Sequence, residues 1–133
     1  MKKEMFICII IFILIVLGNI LTQKYTKESV ESLSNELESL KTGINDKIEN
    51  KKEENFDLRE KYGNIKENWD IRHDKLAYYI EHNELEKVED SLICLNSLLN
   101  TKEYSESVKE LDKCVFILRH IEEKYAFNLQ NIF

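Results

Sequence analysis

MFICIIIFILIVLGNILTQ, residues Met5–Gln23, is a run of nineteen residues without a charge. Most of it is Ile, Leu, Phe or Val. A helix that crosses about 30 Å of hydrocarbon needs roughly 20 such residues. Lys2 and Lys3 precede the run, as in a secretory signal, but it is longer than the usual apolar core of about 7–15 residues. Its end, GNILTQ (18–23), offers no A-x-A-like cleavage site, and no cysteine follows where a lipoprotein signal would place one. The stretch therefore reads as an uncleaved signal anchor, residues 1–23, lodged in the lipid bilayer through Met5–Gln23. Lys2 and Lys3 nearly balance Lys24 and Lys27 in the inside-positive rule. The signal-like order tips the expectation towards a cytoplasmic N-terminus and an extracytoplasmic C-terminal domain. Gly18 has no G-x-x-x-G partner, so the span carries no dimer motif of that kind.

The rest of the chain is polar, charged and patterned for helices. The 133 residues include no proline and three glycines, which favours long helices over a turn-rich β fold. The chain carries −6; Lys2, Lys3 and Glu4 contribute +1, so residues 24–133 carry −7. An acidic domain lacks the basic stripe that phosphates require, which argues against nucleic acid as a partner. About 110 residues after the anchor suffice for a small bundle but not for a large enclosed active site.

The expected fold is all-α: an N-terminal transmembrane helix continuing into an antiparallel bundle of three to four helices, residues 24–133. Val30, Leu33, Leu37, Leu40, Ile44 and Ile48 recur at steps of three and four, one stripe on a helix over about 24–50. Gly43 lies within it, where a kink or early end is expected to be easiest. ENKKEEN (49–55) has no apolar side chain and reads as a turn. Leu58, Tyr62, Ile65, Trp69, Leu76 and Ile80 mark a second helix, about 56–81, with Arg72 in the gap. The stripe Leu85, Val88, Leu92, Leu95, Leu99 is rotated by roughly 140° from it, at about 100° per residue. Either the chain turns at Glu81–Asn83 or one long helix changes partner there; Asn83 and Glu86, which fit a capping box, favour the turn. The third helix is then about 84–100. Asn100 or Thr101 is expected to cap a fourth, about 102–128, carrying Tyr104, Val108, Leu111, Val115, Leu118 and Tyr125. Phe116, Ile117 and Phe127 add a second apolar side, so its C-terminal half is expected to be sandwiched and the most buried part of the domain. Trp69, Leu92, Leu111 and Leu118 are the expected core anchors. Four alternating helices return the C-terminus to the anchor, where Ile132 and Phe133 are expected to dip into the interface or pack on the anchor's exit.

The chemistry-bearing residues are few. Cys94 and Cys114 flank position 101 unequally, which staggers them by about 9 Å at 1.5 Å per residue. A disulfide is not expected. His82 and His120 each lie nineteen residues from position 101 and are expected at one height of a hairpin. With Glu81, Glu84 and Glu123 they form the one candidate polar cluster. Its spacing matches no H-E-x-x-H or E-x-x-H ligand pattern, and helix phase places His120 opposite the Leu111–Leu118 stripe. Structural hydrogen bonding is the expected role. No phosphate loop, nucleophile elbow or triad pattern is present, so neither an enzyme nor a cofactor is expected.

The Met5–Gln23 run, the Trp69 region, EHNEL (Glu81–Leu85) and RHIEEKYAFNLQNIF (Arg119–Phe133) together resemble domain-of-unknown-function family 4363. Its members are short membrane-anchored helical proteins, mainly of spore-forming low-GC Gram-positive bacteria. The resemblance covers nearly the whole chain and is most specific over residues 69–133. The family ending usually reads H-I-P-E-K-E, then L-x-N-I-F; Glu122 stands here in place of the proline and Tyr125 in place of the last acid. The resemblance implies an extracytoplasmic helical domain and brings no catalytic residues. It also hints at a membrane protein partner. Three functions follow as expectations. The first is a non-enzymatic interaction module for another membrane or envelope protein. The second is a coiled-coil structural component of the envelope, using the Val30–Ile48 stripe as a seam. The third is a ligand- or metal-sensing bundle using His82 and His120.

Overall fold

The computed structural model describes residues 1–50 and 56–126, and the fold is all-helical. Helix α1 spans Lys2–Asn50, α2 Phe56–Leu76, α3 His82–Asn100 and α4 Tyr104–Ala126. The apolar segment and the first amphipathic stretch are one uninterrupted helix of 49 residues. At 1.5 Å per residue it is about 73 Å long. Its N-terminal part is long and apolar enough to cross a membrane, and none of its most apolar window is buried inside the protein. Its C-terminal part forms the wall on which α2 and α4 pack, while α3 packs on α4 and, less extensively, on α2.

The stripes place the core. Val30, Leu33, Leu37, Leu40 and Ile44 of α1 are buried against Leu58, Tyr62, Ile65, Trp69 and Leu76 of α2 and the buried faces of α3 and α4. Leu92, Leu111 and Leu118 belong to the same cluster. Ile48 does not; it is exposed, so the α1 stripe ends one step early. The helix runs straight through Gly43. A Cβ there would lie 3.1 Å from Leu58 Cδ2, so the glycine marks close approach of α2 rather than a break.

The connections differ from the sequence expectation in their details. Helix α2 ends at Leu76, five residues before the expected boundary. Tyr78 and Tyr79 donate their N–H groups to the carbonyls three residues back, Lys75 and Leu76, which tightens the chain out of the α ladder. Buried Ile80 then turns back into the core. Helix α3 starts at His82, with Glu81 as N-cap in extended conformation (φ −55°, ψ 133°) and without a side-chain cap bond. The expected Asn83–Glu86 capping box is therefore not used, because Asn83 already lies inside the helix. Thr101 caps no new helix; it closes α3, donating its hydroxyl towards the Ser97 and Leu98 carbonyls. Lys102 follows in the left-handed region (φ 58°). Its N–H reaches Leu99 O and that of Glu103 reaches Leu98 O, the Schellman arrangement usually built on glycine.

The expected sandwiching of α4 is overturned. Phe116 is 71% exposed, and Arg119, His120 and Glu123 also face outwards. From that half the core takes Val115, Leu118 and Ile121, with Ile117 and Tyr125 half-buried against it; α4 packs on α1 and α3, and no other helix among the described residues covers its Phe116 side. The turn expected at 49–55 lies largely outside the described residues, as do Phe127, Ile132 and Phe133.

Candidate functional site

The polar residues that the sequence singles out lie on the turn and helix ends at one end of the bundle, where α1 leaves its apolar segment, but only some of them meet there. Three parts of the fold meet there: Asn19–Lys27 of α1, the turn Ala77–Glu81, and the last turn of α4. The Tyr79 hydroxyl lies 2.7 Å from Thr26 Oγ1, and both are in reach of the Thr22 carbonyl oxygen, at 3.1 and 2.8 Å. Each hydroxyl has one proton, so one donates to the carbonyl while the other donates to its neighbour hydroxyl. Burial pushes the Tyr79 phenol above its ordinary pKa, with the Thr26 hydrogen bond opposing, so it stays protonated at neutral pH. Upstream, Gln23 Nε2 donates to Asn19 Oδ1 at 3.2 Å. The α2–α3 turn is thus bonded directly to the helix that carries the apolar run.

Helix α4 closes the other side. The Glu81 backbone N–H donates to the Tyr125 hydroxyl at 2.8 Å. Lys124 Nζ lies 3.5 Å from Glu81 Oε2 and 3.6 Å from Glu84 Oε1, and Lys87 Nζ is 3.2 Å from the same Glu84 oxygen. Burial of Glu84 would raise its pKa; the Lys87 hydrogen bond and the charges of Lys87 and Lys124 outweigh it and hold the carboxyl below the usual value. Its second oxygen, Oε2, is buried without a hydrogen-bond partner. A cavity of about 310 Å³ opens between α1 and α4, lined by Ile20, Gln23, Lys27, Glu122 and Tyr125 among others. A recess of about 120 Å³ adjoins it between Asn19, Thr22, Tyr79 and Tyr125.

Of the five candidate residues, the structure gathers Glu81 and Glu84 around a common cation, Lys124, which the sequence reading did not name. The histidines point elsewhere. His82 is 75% exposed and pairs with Glu86 one turn along its own helix, at 2.8 Å. His120 is exposed and stacks on Phe116 with ring centroids 6.5 Å apart. Glu123 faces outwards. Among the described residues no group of three or more His, Cys, Asp or Glu side chains is placed to hold a metal ion. The sequence signal for Tyr79, Tyr125 and Thr26 was weak, since a hydroxyl that pairs across 53 residues leaves no periodic trace.

A second polar seam runs up the α1–α2 interface. Arg72 donates from Nε to Asn68 Oδ1 (2.7 Å) and from Nη1 to Ser29 Oγ (3.1 Å), while Asn68 donates to Ser32 and Glu36. Arg72 and Lys75 also lie over the Tyr25 ring, 5.8 and 5.5 Å from its centre. These contacts fix the register of the two helices above the turn. Arg72, which interrupts the apolar stripe in the sequence, is one of these ties.

No curated protein and no solved structure matches this chain. The sequence pattern of one family matches residues 20–132, from the end of the apolar run to the penultimate residue, and therefore most of the chain. The chain belongs to the family described as a domain of unknown function (DUF4363).

Proposed function

We propose that this chain is a single-pass, membrane-anchored interaction module without enzymatic activity, its N-terminus cytoplasmic and its helical bundle outside, where it binds another membrane or envelope protein. One observation carries the reading. The apolar half of α1 faces outwards along its length, yet it is the same helix that supplies the bundle's core wall. A large apolar surface exposed to water is strongly unfavourable, and lipid removes that cost. A continuous helix leaves no linker, so the bundle stands directly on the membrane at a fixed height.

The coiled-coil reading loses its seam, because Val30 to Ile44 are buried against the chain's own later helices. The metal-sensing reading loses its histidines, which lie apart in separate exposed pairings. What remains for a partner is the outer side of α4 and the acidic outer side of α3, a helix that carries a net −3.

In vivo cross-linking of the full chain in membranes, followed by affinity capture and mass spectrometry, tests the proposal. A defined membrane or envelope protein is expected in the cross-linked product. A chain that stays monomeric and uncross-linked in its own membrane, or that is recovered without detergent, overturns it.

A further inference from the structure

The turn Ala77–Glu81 stands at the level where the apolar run ends. Tyr79 fixes that level through its 3.1 Å contact with the carbonyl oxygen of Thr22, the last residue but one of Met5–Gln23. The next residue back, Tyr78, is 90% exposed. A tyrosine placed at the junction of an apolar span and a polar domain is the residue type that settles at a lipid–water boundary, ring in the headgroup layer and hydroxyl in water.

Charge points the same way. The segments that build this end, residues 24–31, 72–87 and 119–126, hold seven cationic and eight acidic residues, a net −1, whereas residues 24–133 as a whole carry −7. Most of the surplus negative charge therefore lies away from the anchor, and the end that would meet headgroups is close to neutral. A fully acidic end would be held off the membrane by desolvation and, on anionic lipid, by repulsion.

We infer that this end of the bundle rests on the membrane, with Tyr78 seated in the headgroup layer of a phospholipid surface. The inference rests on the anchored reading above and adds to it a second lipid contact, fifty-five residues beyond Gln23 in sequence and tied to the span by Tyr79. Helix α1 then cannot rotate or tilt freely beneath the bundle.

The test uses the full chain reconstituted in phosphatidylcholine vesicles and compares wild type with Tyr78→Trp and Asn100→Trp. Wild-type emission comes from the buried Trp69 alone and serves as the baseline. When ordinary lipid is replaced by lipid brominated near the headgroup, the additional emission of the Tyr78→Trp chain is expected to fall by roughly half or more, and that of Asn100→Trp at the far end to stay unchanged. If the chain floats with the vesicles but the Tyr78→Trp chain is quenched no more than the Asn100→Trp chain, the lipid contact is wrong while the anchor stands. If the chain does not float with the vesicles, both fall.

Discussion

The indole Nε1 of Trp69 donates to Glu89 Oε2 at 2.6 Å, joining this fully buried aromatic of α2 to α3. The other oxygen of Glu89 accepts from Lys66 at 2.7 Å, and Lys66 also reaches Asp70 at 2.6 Å. This matters because α2 and α3 share the smallest interface of the packed pairs, and these bonds set their register together with Tyr62, whose hydroxyl donates to Leu92 O at 2.8 Å. Glu89→Ala should leave the indole N–H without its acceptor and cost about 1–3 kcal/mol. Glu89→Gln keeps an acceptor and should cost less. Chemical denaturation of the full chain in micelles, followed by Trp69 emission, measures both; equal losses would show that the indole bond adds nothing.

Three backbone positions should answer substitution differently. Gly63 lies inside α2 with open space around a built Cβ, so Gly63→Ala should stabilise by about 0.5–1 kcal/mol. At Gly43 the same helix-propensity gain is opposed by the 3.1 Å approach to Leu58 Cδ2, and Gly43→Ala should show no gain. Lys102 holds a left-handed conformation. That conformation costs an L-residue roughly 1 kcal/mol, so Lys102→Gly should raise stability by several tenths of that. Thermal unfolding by circular dichroism should rank Gly63→Ala and Lys102→Gly above wild type and Gly43→Ala at or below it.

The contrast between these positions shows what the sequence carried. Apolar periodicity located the helices and most of the core, since each stripe has to face another; Trp69, Leu92, Leu111 and Leu118 are buried for that reason. Periodicity failed where one residue type served two purposes. Phe116 has the right period for a second buried face, but no described helix arrives to cover it. Thr101 has cap chemistry, which the chain spends on closing α3. The α2–α3 turn came earlier than the Asn83 signal because tertiary ties at Tyr79 and Tyr125 hold it there. Those hydroxyl pairs, and the role of Lys124 between two glutamates, depend on which ends of the hairpins meet. That is a property of the assembled bundle and not of any local stretch.

Glu84 should make the end of the bundle beside the apolar run acid-sensitive. Its folded pKa is held below the ordinary carboxylate value by Lys87 and Lys124, against the opposing effect of burial. A depressed carboxylate pKa means that the unfolded chain binds the proton more readily. Its contribution is therefore fully present above the unfolded pKa, about 4.5, and is lost as pH falls through the lower folded value. Glu84→Gln should be less stable than wild type at pH 7, and the gap should close between about pH 5 and pH 3. Melting temperatures of the two chains across that range check it; a gap that is constant with pH would mean that packing, not charge, is what Glu84 supplies.

The cysteines provide a probe of the intact fold, because their environments differ sharply. Cys94 lies exposed on α3, whereas Cys114 is buried in the core on α4. Burial pushes the Cys114 thiol up to about 12, with a Ser91 hydrogen bond opposing. Desolvation by its neighbours and the nearby Glu110 carboxylate raise Cys94 as well, so its labelling should accelerate only above the usual thiol range. Thiolate is the reactive form, and a rise from 9.0 to about 12 lowers its fraction roughly 10³-fold before access is considered. In a Cys8→Ser chain, which removes the thiol of the apolar segment, a maleimide at about pH 8 should label Cys94 alone. Cys114 should react only as denaturant opens the bundle, with a midpoint that coincides with the loss of Trp69 burial, since both side chains sit in one core. Mass spectrometry of peptides after timed labelling separates the two sites. Comparable native-state rates at Cys94 and Cys114 would mean that α4 leaves the core far more often than its packing on α1 and α3 allows.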